Sequence, residues 1–141
     1  MSPSISADTR AWALAEKLFG HSQDNDNSVL ISIHHGVGAG IILDGRVLQG
    51  RHGNIGELGH IQIEKEGKLC HCGNRGCLET VASSQAIREQ VKERLANGEE
   101  STLTVFEDVT IEQICAAAAA GDPLAVEVIE QLGRYLGSAI A

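Results

Sequence analysis

The sequence predicts an α/β domain: one helix, a run of short strands, then a helical second half. Three observations carry this. Apolar residues recur at helical spacing near the N-terminus, β-rich segments punctuated by glycine turns follow, and from residue 83 onward capping signals and helical periodicity take over. At 141 residues the chain is one domain or part of one.

Residues 6–19 form the first expected helix, with Ala7, Ala11, Leu14, Ala15 and Leu18 as its apolar stripe, Ser6 as N-cap and Gly20 as stop. A polar loop over 21–27 leads to a strand over Ser28–His34, and a second strand is expected over Gly40–Leu43 after a glycine turn. Asp44-Gly45 is a two-residue hairpin signal, with Arg46–Gln49 as the return strand. A glycine-rich loop over 50–59 precedes a short strand, Ile61–Ile63. Ser83 or Ser84 caps a helix running to about Ala96, closed by Asn97-Gly98. Thr110-Ile-Glu-Gln113 is a capping box that opens a helix ending at Gly121. Asp122-Pro123 opens the last helix, with an apolar stripe at Leu124, Val128, Leu132, Leu136 and Ile140. That helix carries no stop signal before Ala141, and Met1-Ser2-Pro3-Ser4 leads straight into the first. Both ends are therefore expected to be cuts through a larger protein.

Composition narrows the function. A hydrophobic content of 43% supports a packed core, and only 3% aromatics means that Ala, Val, Ile and Leu build it. The net charge of −8 argues against nucleic-acid binding by this segment, because phosphate contact needs clustered Lys and Arg. No stretch resembles a signal peptide or a membrane span. Four cysteines, three of them crowded together, suit metal ligation in a reducing cytoplasm better than disulfides. Cys115, alone among alanines, is expected to be a buried small hydrophobe.

The spacing His60-x9-Cys70-x-Cys72-x4-Cys77 supplies a tetrahedral donor set whose best occupant is structural zinc. His71 is the alternative imidazole; with His60 as ligand it points to solvent. Glu57 and Glu79 flank the cluster. Carboxylates on glycine-flanked backbone accept paired hydrogen bonds from sugar hydroxyls, although exposed acids are the common fate of Glu. A zinc-bound His60 would keep a second ring nitrogen for an acceptor. The run His34-His35-Gly36-Val37-Gly38-Ala39-Gly40 reads either as a phosphate-approaching loop or as a hairpin bend. Asp8 reads either as a general base or as a first-turn acid favoured by the helix dipole.

Together, GNIGELGHIQI and CHCGNRGCLE resemble the signature of the ROK family, which comprises repressors and sugar kinases on the actin-like, hexokinase-type ATPase fold (ribonuclease H-like). The resemblance covers nearly the whole chain and is strongest to the N-acetylglucosamine-responsive repressor branch. It implies a single partial ROK domain over 1–141, with a sugar-binding and zinc region at 50–82 and a helical region at 83–141. It matches His60, Cys70, Cys72 and Cys77 to zinc ligands, and Asn54, Glu57, His60 and Glu79 to positions that contact sugar hydroxyls. Asp8 matches the kinase base, and Gly36, Gly38 and Gly40 the second phosphate loop.

The chain also departs from the kinase pattern. Ala7-Asp8-Thr9-Arg10 replaces Asn-Asp-x-Asn, and His34-His35-Gly36 replaces Gly-Thr-Gly. The first phosphate loop, Asp-x-Gly-x-Thr, and the N-terminal helix-turn-helix of the repressors are absent from this sequence. The chain by itself is thus expected neither to phosphorylate sugar nor to bind operator DNA, which it would reach only through a missing N-terminal domain. Arg10, His34 and His35 are expected to converge near Asp8 and offset the charge of a sugar 6-phosphate.

The favoured expectation is the effector-binding portion of a cytoplasmic, non-enzymatic repressor of carbohydrate metabolism. It would respond to an amino sugar or its 6-phosphate, foremost N-acetylglucosamine 6-phosphate. The alternative is a fragment of an ATP-dependent glucokinase or N-acetylglucosamine kinase with Asp8 as base. A regulator that binds a sugar-transport protein is a third reading, and the full-length protein is expected to be a homo-oligomer.

Overall fold

The computed structural model describes residues 5–51, 55–104 and 108–141. Its element order is α1 (Ile5–Phe19), β1 (Ser28–Ile33), β2 (Val37–Leu43), β3 (Arg46–Val47), a single 3₁₀ turn (Leu58–His60), α2 (Glu79–Ala82), α3 (Ser84–Ala96), α4 (Ile111–Ala119) and α5 (Pro123–Ile140).

The strands form one antiparallel sheet in the order β1-β2-β3, with Ser32 opposite Gly38 and Ile42 opposite Val47. Asp44 (φ 49°) and Gly45 (φ 71°) are both left-handed, the torsions of a type I′ hairpin turn. The expected second strand was too short. It begins at Val37, so Gly38 and Gly40 are ladder residues and the glycine loop shrinks to a turn at 34–36, closed by His34 N–H donating to Gly36 O at 2.9 Å.

The glycines of β2 serve packing. A Cβ at Gly40 would lie 2.4 Å from Thr9 O and 2.6 Å from Ala13 Cβ. Helix α1 therefore presses on the strand through its smallest side chains, Thr9 and Ala13, which are buried. This corrects the expected stripe: Ala11, Leu14, Ala15 and Leu18 are exposed. Ser6 lies inside α1 rather than capping it. Ile61–Ile63 is not a strand either, since pairing there is reduced to an isolated bridge, Gln62 to Cys77.

The helical half follows its signals closely. Ser83 Oγ accepts from Ala86 N–H, Thr110 and Gln113 form the reciprocal capping box, and Asp122 accepts from Ala125 N–H with Pro123 in the first turn. Val91, Ile114, Leu124 and Val128 are the centre of a core shared by α3, α4 and α5. A second, smaller core joins Val37, Leu78 and Ala82 to Leu132, Tyr135 and Leu136 of α5. The α5 stripe holds as far as Leu136, whereas Ile140 is exposed. Cys115 is exposed, contrary to expectation. Ile114 and Ala117 take the inward face of α4, and Cys115 is turned about 100° from Ile114. Among the described residues no helix is long and apolar enough to cross a membrane.

Candidate functional site

The loop over 61–78 is folded by backbone hydrogen bonds rather than by regular elements. Cys70 N–H donates to Asn74 O (2.7 Å), Gly76 N–H to Lys68 O (2.9 Å) and Leu78 N–H to Ile61 O (2.9 Å). Gly76 has φ 68°, and a Cβ there would lie 1.6 Å from Glu64 O, so only glycine lets the two arms of the loop meet.

This folding brings His60, Cys70, Cys72 and Cys77 together, with one donor atom from each lying within 4.8 Å of all the others. Cys72 Sγ and Cys77 Sγ are 3.7 Å apart, and Cys70 Sγ is 3.8 Å from His60 Nδ1. Tetrahedral zinc with sulfur bonds of about 2.3 Å requires edges of roughly 3.6–3.8 Å, so the spacing fits that ion. The donor chemistry fits as well. Burial, reinforced by its cysteine neighbours, pushes the Cys77 thiol up to about 12. The Cys72 thiol moves the other way, chiefly through a backbone hydrogen bond from Asn74. A buried thiol this reluctant to ionise needs a cation beside it to become a ligand.

Each of the two carboxylates lies against a different imidazole. Glu57 Oε2 is 3.8 Å from His60 Nε2, so His60 turns one nitrogen to the thiols and the other to a carboxylate. Glu79 is 9% exposed, and its Oε1 is 2.9 Å from His71 Nδ1. Gly59 makes room for this: a Cβ would lie 2.6 Å from Val37 O and 3.3 Å from Glu79 Oε2. His71 is exposed, as expected, yet it is tied to Glu79 and stacks edge-on against His60 with ring centroids 5.3 Å apart. Cys70, His71 and Glu79 form a second group of suitable donors, with one thiol in place of three. Asn54 lies outside the described residues.

Asp8, His34 and His35 line one cavity of about 280 Å³ with Thr9, Trp12 and Ser32. The His34–His35 turn also lines a larger cavity of about 490 Å³, together with Ser84, Gln85, Arg88, Thr110 and Glu112. Arg10 does not line either cavity, whereas Arg88, one turn into α3, lines the larger one with His34 and His35. Its position after a capped helix start could have flagged it. Trp12 and the short helix α2 were missed as well. Trp12 is one helical turn from Asp8, a spacing that places both on one side of α1.

The chain matches the ROK family over residues 2–141. It is 53% identical over 137 residues to the DNA-binding transcriptional dual regulator NagC of Escherichia coli strain K12, covering 97% of this chain and 34% of that protein. Among solved structures it is similar to a ROK family transcriptional regulator described as a homolog of the E. coli MLC protein. That likeness has 80% identity and a TM-score of 0.89, and covers 94% of this chain and 34% of the other. It is also similar to a ROK family glucokinase from Streptomyces griseus in complex with glucose and AMPPNP, with 33% identity and a TM-score of 0.83, covering 94% of this chain and 45% of the other. The chain thus spans about a third of the length of the regulators it matches.

Proposed function

This chain belongs to the ROK family, and from that premise we propose that it is the effector-binding, zinc-containing portion of a transcriptional repressor of amino-sugar metabolism. The effector is N-acetylglucosamine 6-phosphate. The observation that carries this reading is the 53% identity to a DNA-binding regulator along nearly the whole chain. Zinc would be held by His60, Cys70, Cys72 and Cys77. It would supply the charge that lets the thiols ionise and would cross-link the loop to the 3₁₀ turn, leaving no open position for water activation. Glu57 and Glu79, braced on that loop, accept hydrogen bonds from sugar hydroxyls, with Asn54 beside them in sequence. Arg88 would supply the charge for a phosphate, and His34 and His35, which line the same cavity, would supply hydrogen-bond partners. Sugar binding would bias a two-state hinge in the full protein and change DNA affinity there, provided the ligand discriminates between the two states.

A sugar kinase is the second reading. It is favoured by the placement of Asp8 in a cavity and by the likeness to the Streptomyces griseus glucokinase. Titration calorimetry of the full-length protein with N-acetylglucosamine and with its 6-phosphate separates the two. Tighter binding of the phosphate supports the sensor. Tighter binding of the free sugar, accompanied by ATP-dependent phosphorylation, replaces it with the kinase.

A further inference from the structure

We infer that Trp12 is a ligand-stacking residue, the apolar platform on which the C–H face of a pyranose ring lies while Asp8 receives a hydroxyl at the ring's edge. This rests on the reading that the ligand is a sugar; Glu57 and Glu79 do not line this cavity, so Trp12 and Asp8 would engage a part of the ligand distinct from the hydroxyls assigned to those two carboxylates.

Among the described residues, the seat of α1 on β2 does not account for Trp12. Helix α1 packs on β2 through Thr9 and Ala13, and Trp12, turned about 100° from Ala13, remains 47% exposed. It lines the cavity of about 280 Å³ that also holds Asp8, Ser32, His34 and His35. An indole wall beside a carboxylate and an imidazole is a two-sided surface. The aromatic face, with its negative quadrupole, suits the weakly positive C–H groups on one side of a pyranose, and the polar groups suit the hydroxyls around the edge. Neither an inorganic anion nor an acyclic polyol offers that flat C–H face. The volume lies below the range of drug-sized pockets and on the scale of one monosaccharide. The indole is also held in place beforehand: His34 meets it in a T-shaped contact, with ring centroids 5.7 Å apart and planes at 69°. Little side-chain freedom is left to lose on binding.

The experiment follows the tryptophan emission of the full-length protein, with Trp12→Phe isolating the share due to Trp12, and runs calorimetry in parallel. The probes are N-acetylglucosamine 6-phosphate, the acyclic glucitol 6-phosphate and inorganic phosphate. The expected result is a shift in Trp12 emission that saturates with the pyranose phosphate at its calorimetric Kd and is absent with the other two. Trp12→Ala should weaken binding at least tenfold, and Trp12→Phe, which keeps an aromatic face, should stay within about threefold. Trp12→Phe also serves if the alanine variant fails to fold, and it assigns the emission change to position 12. Calorimetric binding with unchanged emission, and with equal affinity in Trp12→Ala, overturns the stacking role and leaves the sugar-sensor reading standing. No calorimetric binding of any sugar overturns both.

Discussion

Two glycines in the loop over 61–78 separate the cost of a left-handed backbone from the cost of blocking the loop's closure. Gly73 (φ 93°) and Gly76 (φ 68°) are both left-handed, yet a Cβ at Gly73 meets nothing within 4 Å, whereas one at Gly76 lies 1.6 Å from Glu64 O. Gly73→Ala should therefore cost only the torsional penalty, about 1–2 kcal/mol. Gly76→Ala adds a steric demand. Moving from 1.6 Å to the 3.4 Å of ordinary contact shifts the Glu64 carbonyl by about 1.8 Å. That shift breaks the hydrogen bonds from Ile63 and Glu64 N–H to Gly76 O and from Gly76 N–H to Lys68 O. At about 1 kcal/mol each, the total loss approaches roughly 4–5 kcal/mol. The next residue is Cys77, and zinc tolerates ligand displacements of only about 0.2 Å, so metal affinity should fall along with stability. The assay is urea unfolding of both variants, paired with zinc content after dialysis against a weak chelator. If Gly76→Ala matched Gly73→Ala in midpoint and in retained metal, the closure of the loop would not depend on this glycine and the argument would be refuted.

Further outcomes follow from the same geometry. Cys72→Ser, or chelation of the metal, should loosen the loop carrying Glu57 and Glu79 and weaken sugar binding at least tenfold by calorimetry; unchanged affinity in metal-free protein would contradict the bracing role. Asp122 accepts from Ser101 Oγ, Thr102 Oγ1 and the backbone N–H groups of Thr102 and Ala125, so Asp122→Ala should cost about 3 kcal/mol in denaturant unfolding through the lost cap and the stranded donors. Burial pushes the Asp122 carboxyl up, but those hydrogen bonds outweigh it and hold it at about 2, below the ordinary 3.8; its stabilisation is complete above about pH 4 and lost as pH falls towards 2, and acid titration of Asp122→Asn should lack that component. Tyr135 donates to Glu64 Oε1 at 2.6 Å, so Tyr135→Phe should lower stability by about 1.5 kcal/mol, whereas an unchanged midpoint would mean that this link between α5 and the metal loop carries no weight. In metal-loaded native protein a thiol reagent should modify Cys115 quickly and spare Cys70 and Cys77, which peptide mapping reads directly.

Local chemistry was legible in the sequence, and long-range packing was not. Ser83, the Thr110 capping box, Asp122-Pro123 and the Asp44-Gly45 turn all act as their residue types dictate, because a cap or a tight turn is settled within three or four residues. The grouping of the four candidate donors was readable for the same reason: their spacing within eighteen positions leaves few ways to arrange them. The buried face of α1 was misread. Leu14 and Leu18 point outward because the close approach of α1 at Gly40 of β2 seats Thr9 and Ala13, and no periodicity within the helix records what the strand will admit. Cys115 was misassigned by composition, since an alanine run shows no face until α5 packs on one side of it. Arg88 and Trp12 were passed over because neither belongs to a motif. They gain chemical meaning only when the fold brings α3 and α1 each to a cavity lined by the His34–His35 turn. The sequence by itself determined the donors, the caps and the family. The tertiary structure alone decided which side chains share a cavity, because that depends on how closely separate elements can approach.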